Sequence, residues 1–326
     1  MQDTLFLMRI ALGTTTVGPE AVRRLSQANW QEILSEAKRQ GVTGLVYVAV
    51  SRLPEGFPLP EEILFRLVSR SRQIEQRGLA MARSSERLLA QLKAAGRHPV
   101  PMKGAQVARF YAQPAFREYG DIDLYLPAGE SLPMASETAP DGSEHFTYEG
   151  FDVDVHGQYF DLHGKGELPP IPSPEATLLM LSAHTLKHAV GAGIGLRQLC
   201  DLAAAYLALD GQYRAEDLRR YFKANKLVRW NKLVNSFLQK ELGVPDHLYG
   251  STSESSHLLL KMLRDGGNFG HYAASRSKAL EQSALRRKAD TAWRFFRRLP
   301  FSLRYAPGEA FSTIFTLIRG NLTPRG

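Results

Sequence analysis

The segment Gly120-Asp121-Ile122-Asp123-Leu124 contains the two residues whose types and spacing most clearly suggest chemistry. Asp121 and Asp123 are one residue apart and alternate with apolar residues. This pattern predicts a half-buried β-strand that carries both carboxylates on one face. Two neighbouring carboxylates repel each other unless a cation binds them. Carboxylate oxygens are the ligands that Mg²⁺ or Mn²⁺ prefers, so the segment predicts a divalent-metal site.

A third carboxylate is available in residues 151–156, where apolar residues alternate with Asp152, Asp154 and His156. The alternation predicts a second strand with one buried and one polar face. We expect Asp154 to join the first two aspartates as the third metal ligand. Asp152 shares the same face and is the alternative ligand. His156 is interpreted as a residue that supports the ligands, with a catalytic role as the alternative.

Hydrophobic periodicity and helix-breaking residues predict the elements that must position these side chains. Residues 19–40 predict one amphipathic helix, residues 44–52 a second, and residues 60–95 either one long helix or two abutting ones. Short strands follow, one of them from about Ile122 to Leu126, and Glu149-Gly150 is predicted to be a hairpin turn between the last two. A helix is predicted to begin at Pro174 and to cover PEATLLMLSAHTLKHAV. Further helices are predicted near residues 195–209, 214–225, 228–241, 256–264, 277–298 and 308–319.

These patterns divide the chain into an N-terminal helical region (1–97), a small α/β core (98–170) and a C-terminal helical region with a basic tail (171–326). The predicted fold class is α+β, with the core embedded in a mainly helical protein. The region boundaries follow the change to short strands near residue 99 and the return of helical periodicity after the strands.

Composition excludes several classes of protein. With 44% hydrophobic and 23% charged residues in a chain of 326, disorder of the whole chain is not expected. The one cysteine, Cys200, excludes an intrachain disulfide and a cysteine-rich zinc module. No uninterrupted run of 18 apolar residues occurs, and the N-terminus lacks a basic leader, so we expect a cytoplasmic protein without a transmembrane segment.

The formal charge of +8 is concentrated in residues 271–326, which hold eleven Lys or Arg against three Asp or Glu. A basic segment attracts phosphates, nucleic acid or an acidic lipid surface. Nucleic-acid binding through this segment is therefore one hypothesis, with the aspartates incidental to it. A solvated basic helix without a partner is the alternative.

Residues 98–205 resemble the polymerase-β-like nucleotidyltransferase superfamily. They are most similar to its poorly characterised bacterial branch, which shows K-G, a short helix with a Tyr, an Arg, and then G-D-I-D-L. The residues that carry the resemblance are Lys103-Gly104, Tyr111, Arg117, Gly120 to Leu124, Asp154 to His156, and the helical positions His184, His188, Arg197 and Asp201.

The resemblance implies a mixed sheet with the D-x-D pair on one strand and the third acid on a neighbouring strand. It also implies transfer of a nucleoside monophosphate from an NTP, with release of pyrophosphate. Three aspartates would bind the metal, three further residues would hold the phosphates, and the third acid would also help to deprotonate the acceptor. The expected metal ligands are Asp121, Asp123 and Asp154, and Gly104 is the expected phosphate-binding glycine. Lys103 and Arg117 are expected to bind the phosphates as well, because each flanks the acidic pair, with a surface cation that pairs with Glu118 or solvent as the alternative.

One position departs from the better-known branches, which have Gly or Ser after the glycine where this chain has Ala105. The departure keeps an alternative open: a catalytically inactive module of the same fold that binds a nucleotide, nucleic acid or another partner. The basic excess of the chain favours an anionic or neutral acceptor over a polycationic one.

Two histidines, His184 and His188, are four residues apart on a predicted helix, a spacing that can bind zinc. Thr185 stands where a zinc peptidase helix would carry Glu, and no further ligand set is evident. We therefore interpret the pair as packing beside the active cleft. The sequence contains no P-loop, no Gly-rich dinucleotide fingerprint and no G-x-S-x-G elbow.

Overall fold

The computed structural model describes residues 1–139, 142–162, 166–190, 193–250, 255–266, 299–305 and 307. The chain forms two compact units. The first comprises Met1–Tyr159, Cys200–Asp210 and Glu241–Val244, and the second comprises Phe160–Leu199, Gly211–Lys240 and the described residues from Pro245 onward.

The first unit begins with a layer of helices. They are α1 (Gln2–Leu12), α2 (Pro19–Ser26), α3 (Trp30–Gln40), α4 (Thr43–Val50) and the long α5 (Glu61–Ala94). The prediction of one helix over residues 19–40 is wrong, because the chain breaks before Asn29. The Asn29 side chain accepts a hydrogen bond of 3.1 Å from the Glu32 backbone N–H and so caps a separate helix. Of the two alternatives for residues 60–95, the single helix is the one observed, over Glu61–Ala94.

A five-stranded mixed sheet follows, in the order β1-β2-β5-β4-β3. Its strands are β1 (Val100–Pro101), β2 (Asp121–Tyr125), β3 (Glu137–Thr138), β4 (Glu144–Tyr148) and β5 (Phe151–His156), and the one-turn helix α6 (Ala105–Ala108) lies between β1 and β2. The β2–β5 pair is parallel and the other pairs are antiparallel. With the helices, this sheet confirms the predicted α+β class.

The turn between β4 and β5 fixes the register of the hairpin. Glu149 and Gly150 have φ values of 49° and 81°, the positive values that a two-residue hairpin turn requires. Tyr148 therefore pairs with Phe151, and His145 pairs with Asp154. The predicted hairpin is confirmed.

The apolar face of the sheet packs on α5. The core they share consists of Met81, Leu88 and Leu92 from the helix, Ile122, Leu124, Val153 and Val155 from the strands, and Leu126 directly after β2. Since side chains alternate along a strand, this packing directs the intervening aspartates to the opposite face.

Close backbone contacts hold the turn that leads into β2. A Cβ at Gly44 of α4 would lie 2.1 Å from the Phe116 carbonyl oxygen, and a Cβ at Gly78 of α5 would lie 2.7 Å from that of Ala115. Only glycine allows the two helices to approach this turn so closely. The helices therefore fix where the strand with the D-x-D pair begins.

The second unit is helical in its described part. It contains α7 (Pro174–Val190), α9 (Ala215–Ala224) and α11 (His257–Gly266), while residues of α8 (Leu196–Ala208) and α10 (Val228–Leu242) are divided between the units. Within the unit, the buried Trp230 indole N–H donates to the Ser182 carbonyl, at 3.0 Å. The predicted helices 277–298 and 308–319, and most of the basic tail, lie outside the described residues.

Among the described residues, no helix combines the length and apolar character that crossing a membrane requires.

Candidate active site

The polar face of the sheet gathers the acidic residues of two strands. In the parallel β2–β5 pair, Asp121 lies opposite Asp152 and Asp123 lies opposite Asp154. Residues opposite each other in a ladder point to the same side of the sheet. All four carboxylates therefore lie on the face that is directed away from α5.

A trio on this face has the spacing of a metal site. One ligand atom each from Asp123, Asp154 and His156 lies within 4.8 Å of the other two. Atoms that share one ion must converge in this way, and the two carboxylates supply the oxygens that Mg²⁺ or Mn²⁺ prefers. The donor set therefore fits a divalent cation. Asp121 lies two residues earlier on the same face but is not a member of the trio.

Asp123 is 5% exposed and carries two polar contacts. Its Oδ1 lies 2.6 Å from Lys103 Nζ and 3.0 Å from His156 Nε2. Burial acts to raise the pKa of this carboxyl, but the Lys103 charge and the His156 hydrogen bond outweigh burial and hold the pKa well below its usual range. Asp123 is therefore ionised, and the Lys103 ammonium group already neutralises its charge in this structure.

Hydrogen bonds connect Asp154 to two further polar side chains that were not predicted from the sequence. His145 Nδ1 lies 2.5 Å from Asp154 Oδ1, and its Nε2 lies 2.8 Å from Ser143 Oγ. The signal was present in the sequence, since the predicted hairpin turn places position 145 opposite position 154. His145 thereby orients the Asp154 carboxylate from the side of β4.

Gly104 lies against β2 through its backbone. Its φ is +54°, and a Cβ there would lie 3.0 Å from the Asp121 carbonyl oxygen. Packing against β2 therefore explains why glycine occupies this position, because a side chain would push the Lys103-Gly104 turn away from the strand. The helix that follows has only one turn. Phosphate binding by Gly104 stays a prediction.

Arg117 pairs with Asp201 in this structure, whereas the sequence predicted that it contacts the triphosphate. Its Nε and Nη2 donate to the two oxygens of Asp201 at 2.9 and 2.6 Å, and both side chains are 6% exposed. The Tyr111 hydroxyl also donates to Asp201, at 2.8 Å. These are the contacts of a buried structural pair, beside the turn that starts β2. The triphosphate contact of Arg117 stays a prediction without support from this geometry.

An open pocket of about 850 Å³ lies along the polar face. Its lining includes Asp121, Asp152 and Asp154 from the two central strands, with Glu137 and His145 from the neighbouring ones. None of its described lining residues is Lys or Arg. The pocket is large enough for a ligand of nucleotide size.

Comparison with known proteins gives one match. Residues 26–139 match the model of a family described as an uncharacterised nucleotidyltransferase. The matched segment includes Lys103, Gly104, Arg117 and the D-x-D pair and ends before Asp154. Neither the curated proteins nor the solved structures gave a match. The family match supports a nucleotidyltransferase assignment for the chain, and the particular bacterial branch stays a prediction.

Proposed function

We propose that the protein transfers a nucleoside monophosphate from an NTP to a hydroxyl-bearing acceptor and releases pyrophosphate. The observation that carries this proposal is the register of β2 and β5, which sets Asp123 beside Asp154 with His156 next to them. The family match over residues 26–139 is the independent support for nucleotide chemistry.

In this proposal Asp123 and Asp154 hold a divalent cation, Mg²⁺ or Mn²⁺, with Asp121 as the additional carboxylate of the D-x-D pair. When bound, such a cation neutralises triphosphate charge and lowers the pKa of the acceptor hydroxyl. His156 either adds a nitrogen ligand or holds Asp123 in place by its hydrogen bond. The predominance of oxygen donors favours these two ions over softer ones.

The reaction requires one bond to form and one to break. The acceptor oxygen bonds to the α-phosphorus, the bond from that phosphorus to the bridging oxygen breaks, and pyrophosphate leaves. The hydroxyl proton passes to Asp154, which His145 orients. Lys103, held beside Asp123, supplies a mobile positive charge for the triphosphate.

The charge of the pocket lining bears on the charge of the acceptor. The net charge of the chain favoured an anionic or neutral acceptor. The four acidic residues of the pocket lining, Asp121, Glu137, Asp152 and Asp154, disfavour an anion at this place. A neutral acceptor with a hydroxyl group satisfies both considerations, so we propose a neutral acceptor.

The test is pyrophosphate release by the purified chain. The protein is incubated with Mg²⁺ or Mn²⁺, each NTP in turn and a cell extract, and the labelled products are identified by mass spectrometry. We expect label on a hydroxyl compound, and loss of that label in Asp123→Asn. Glu137→Gln is the matched control, since Glu137 lines the same pocket outside the trio. Unchanged product formation in Asp123→Asn would refute the proposal.

A second candidate function is nucleotide binding without turnover. The observation in its favour is the ion pair between Lys103 and Asp123, because the ammonium group on this carboxylate competes with a metal ion. Calorimetric titration with Mg²⁺ and each NTP separates the two functions. Tight binding without pyrophosphate release in any extract supports the binding module.

A further inference from the structure

A second cluster of metal-ligating side chains lies in the other unit, on α7. His184 and His188 are one helical turn apart, so their side chains lie on the same face of the helix. Their Nε2 atoms are 3.0 Å apart, and the rings are nearly perpendicular at 82° with centroids 4.4 Å apart. The two nitrogens thus converge on one point.

Asp161 determines which nitrogen of His184 carries the proton. The Asp161 Oδ2 lies 3.0 Å from His184 Nδ1, and the Asp161 Oδ1 accepts a hydrogen bond of 2.7 Å from Lys187 Nζ. A carboxylate in this position accepts the Nδ1 proton, which leaves the Nε2 lone pair of a neutral His184 directed toward His188. Metal-binding histidines in proteins are commonly oriented by a carboxylate on the other ring nitrogen in this way.

We propose that His184 and His188 bind a transition-metal ion, with Zn²⁺ as the representative, through their two Nε2 atoms. Two Zn–N bonds of about 2.0–2.1 Å at a tetrahedral angle place the nitrogens roughly 3.3 Å apart. The observed separation of 3.0 Å needs only a small adjustment of the rings. In this structure the two Nε2 atoms share one hydrogen bond, with the His188 ring as the donor. When the ion binds, the neutral His188 ring carries its proton on Nδ1 instead of Nε2, so that both Nε2 lone pairs face the ion. Water or a small anion fills the remaining positions.

The ligand types separate this site from the carboxylates of the sheet. Imidazole nitrogen suits zinc, nickel and copper, whereas Mg²⁺ requires hard oxygen ligands. The His184 side chain is 17% exposed, which leaves an approach for the ion while shielding the ring from bulk water. The proposed zinc site therefore differs in metal preference from the proposed site on the sheet, and it does not depend on the proposed transferase function.

The experiment is equilibrium dialysis of the full-length protein against Zn²⁺ alone, after removal of metals with a chelator. Bound zinc is measured by elemental analysis, and Co²⁺ substitution reports nitrogen ligation by its visible spectrum. We expect His184→Gln and His188→Gln each to lose one zinc equivalent and the Co²⁺ spectrum. Asp161→Asn is expected to weaken zinc binding by about 10- to 100-fold, as loss of a supporting carboxylate does.

Three controls make the result decisive. His257→Gln removes an exposed histidine of another helix and should retain the zinc. Asp123→Asn alters the sheet site and should also retain it. Thermal unfolding in the presence of chelator checks that each variant is folded. If a histidine variant does not fold, Asp161→Asn still tests the zinc site. Unchanged zinc affinity in His188→Gln, or loss of this zinc in Asp123→Asn alone, would overturn the proposal.

Discussion

The buried ion pair between Arg117 and Asp201 allows a quantitative test of what holds the start of β2. Each side chain is 6% exposed, and two hydrogen bonds of 2.9 and 2.6 Å join them. Asp201→Asn keeps the size of the side chain but leaves the guanidinium buried without a counter-charge. Removing one partner of a buried pair costs about 3–5 kcal/mol. We expect the free energy of unfolding to fall by that amount.

The assay is urea-induced unfolding at neutral pH, without metal or nucleotide, followed by circular dichroism. Asp210→Asn is the matched control, since it makes the same change at an exposed position of the chain. The double variant Arg117→Met with Asp201→Leu removes both charges together. Because no uncompensated charge then remains, we expect it to be more stable than Asp201→Asn.

Two outcomes would refute the reasoning. A loss below about 1 kcal/mol in Asp201→Asn would show that the pair behaves like an exposed one. A double variant whose loss equals the sum of the single losses would show that the two residues are not coupled. The Arg117→Met single variant is the fourth member of this double-mutant cycle. Its NTP affinity tests the predicted phosphate contact separately.

The remaining predictions concern the sheet site. We expect Mg²⁺ with NTP to raise the melting temperature, since ligand at a hundredfold excess over its Kd adds about 2.7 kcal/mol, and Asp121→Asn with Asp123→Asn to abolish the rise. Lys103→Met should weaken triphosphate binding by about 1.5–3 kcal/mol in calorimetry, the value of a charged hydrogen bond, while Glu137→Gln does not. Gly104→Ala should lower the stability of the metal-free protein by about 1–3 kcal/mol in urea, because its φ is +54°.

Each of these predictions has an outcome that contradicts it. An equal rise in melting temperature in the aspartate double variant would place the nucleotide elsewhere. Unchanged NTP affinity in Lys103→Met would assign Lys103 to structure alone. A Gly104→Ala variant as stable as wild type would show that the Lys103-Gly104 turn can move away from β2.

The sheet and its polar face were predictable because they depend on local rules. Alternation of apolar and acidic residues assigns faces along a strand, and Glu149-Gly150 fixes the hairpin that brings position 145 opposite position 154. The predicted strand over Ile122–Leu126 differs from β2 by one residue at each end. The expectation that the third acid lies on a strand next to the D-x-D strand came from the family resemblance, since alternation alone does not choose a partner strand. The parallel direction of the β2–β5 pair was not predicted.

The contacts of the cationic residues could not be predicted in the same way. Arg117 and Asp201 are 84 residues apart in the chain, and no periodicity links them. The sequence instead suggested a phosphate for Arg117 because the residue precedes the D-x-D pair. The break before Asn29 was missed because the apolar spacing of residues 19–40 continues across it, while the cap depends on a single side chain.

Lys103 takes part both in the ion pair of this structure and in the proposed reaction. Neighbouring carboxylates on one sheet face need a positive charge, and in this structure the chain itself supplies one, 2.6 Å from Asp123. A metal ion that binds Asp123 must compete with that ammonium group. A triphosphate supplies oxygens that can accept hydrogen bonds from the ammonium group and complete the coordination of the ion. Metal and nucleotide should therefore bind together more tightly than either binds alone, with Lys103 moving from carboxylate to phosphate.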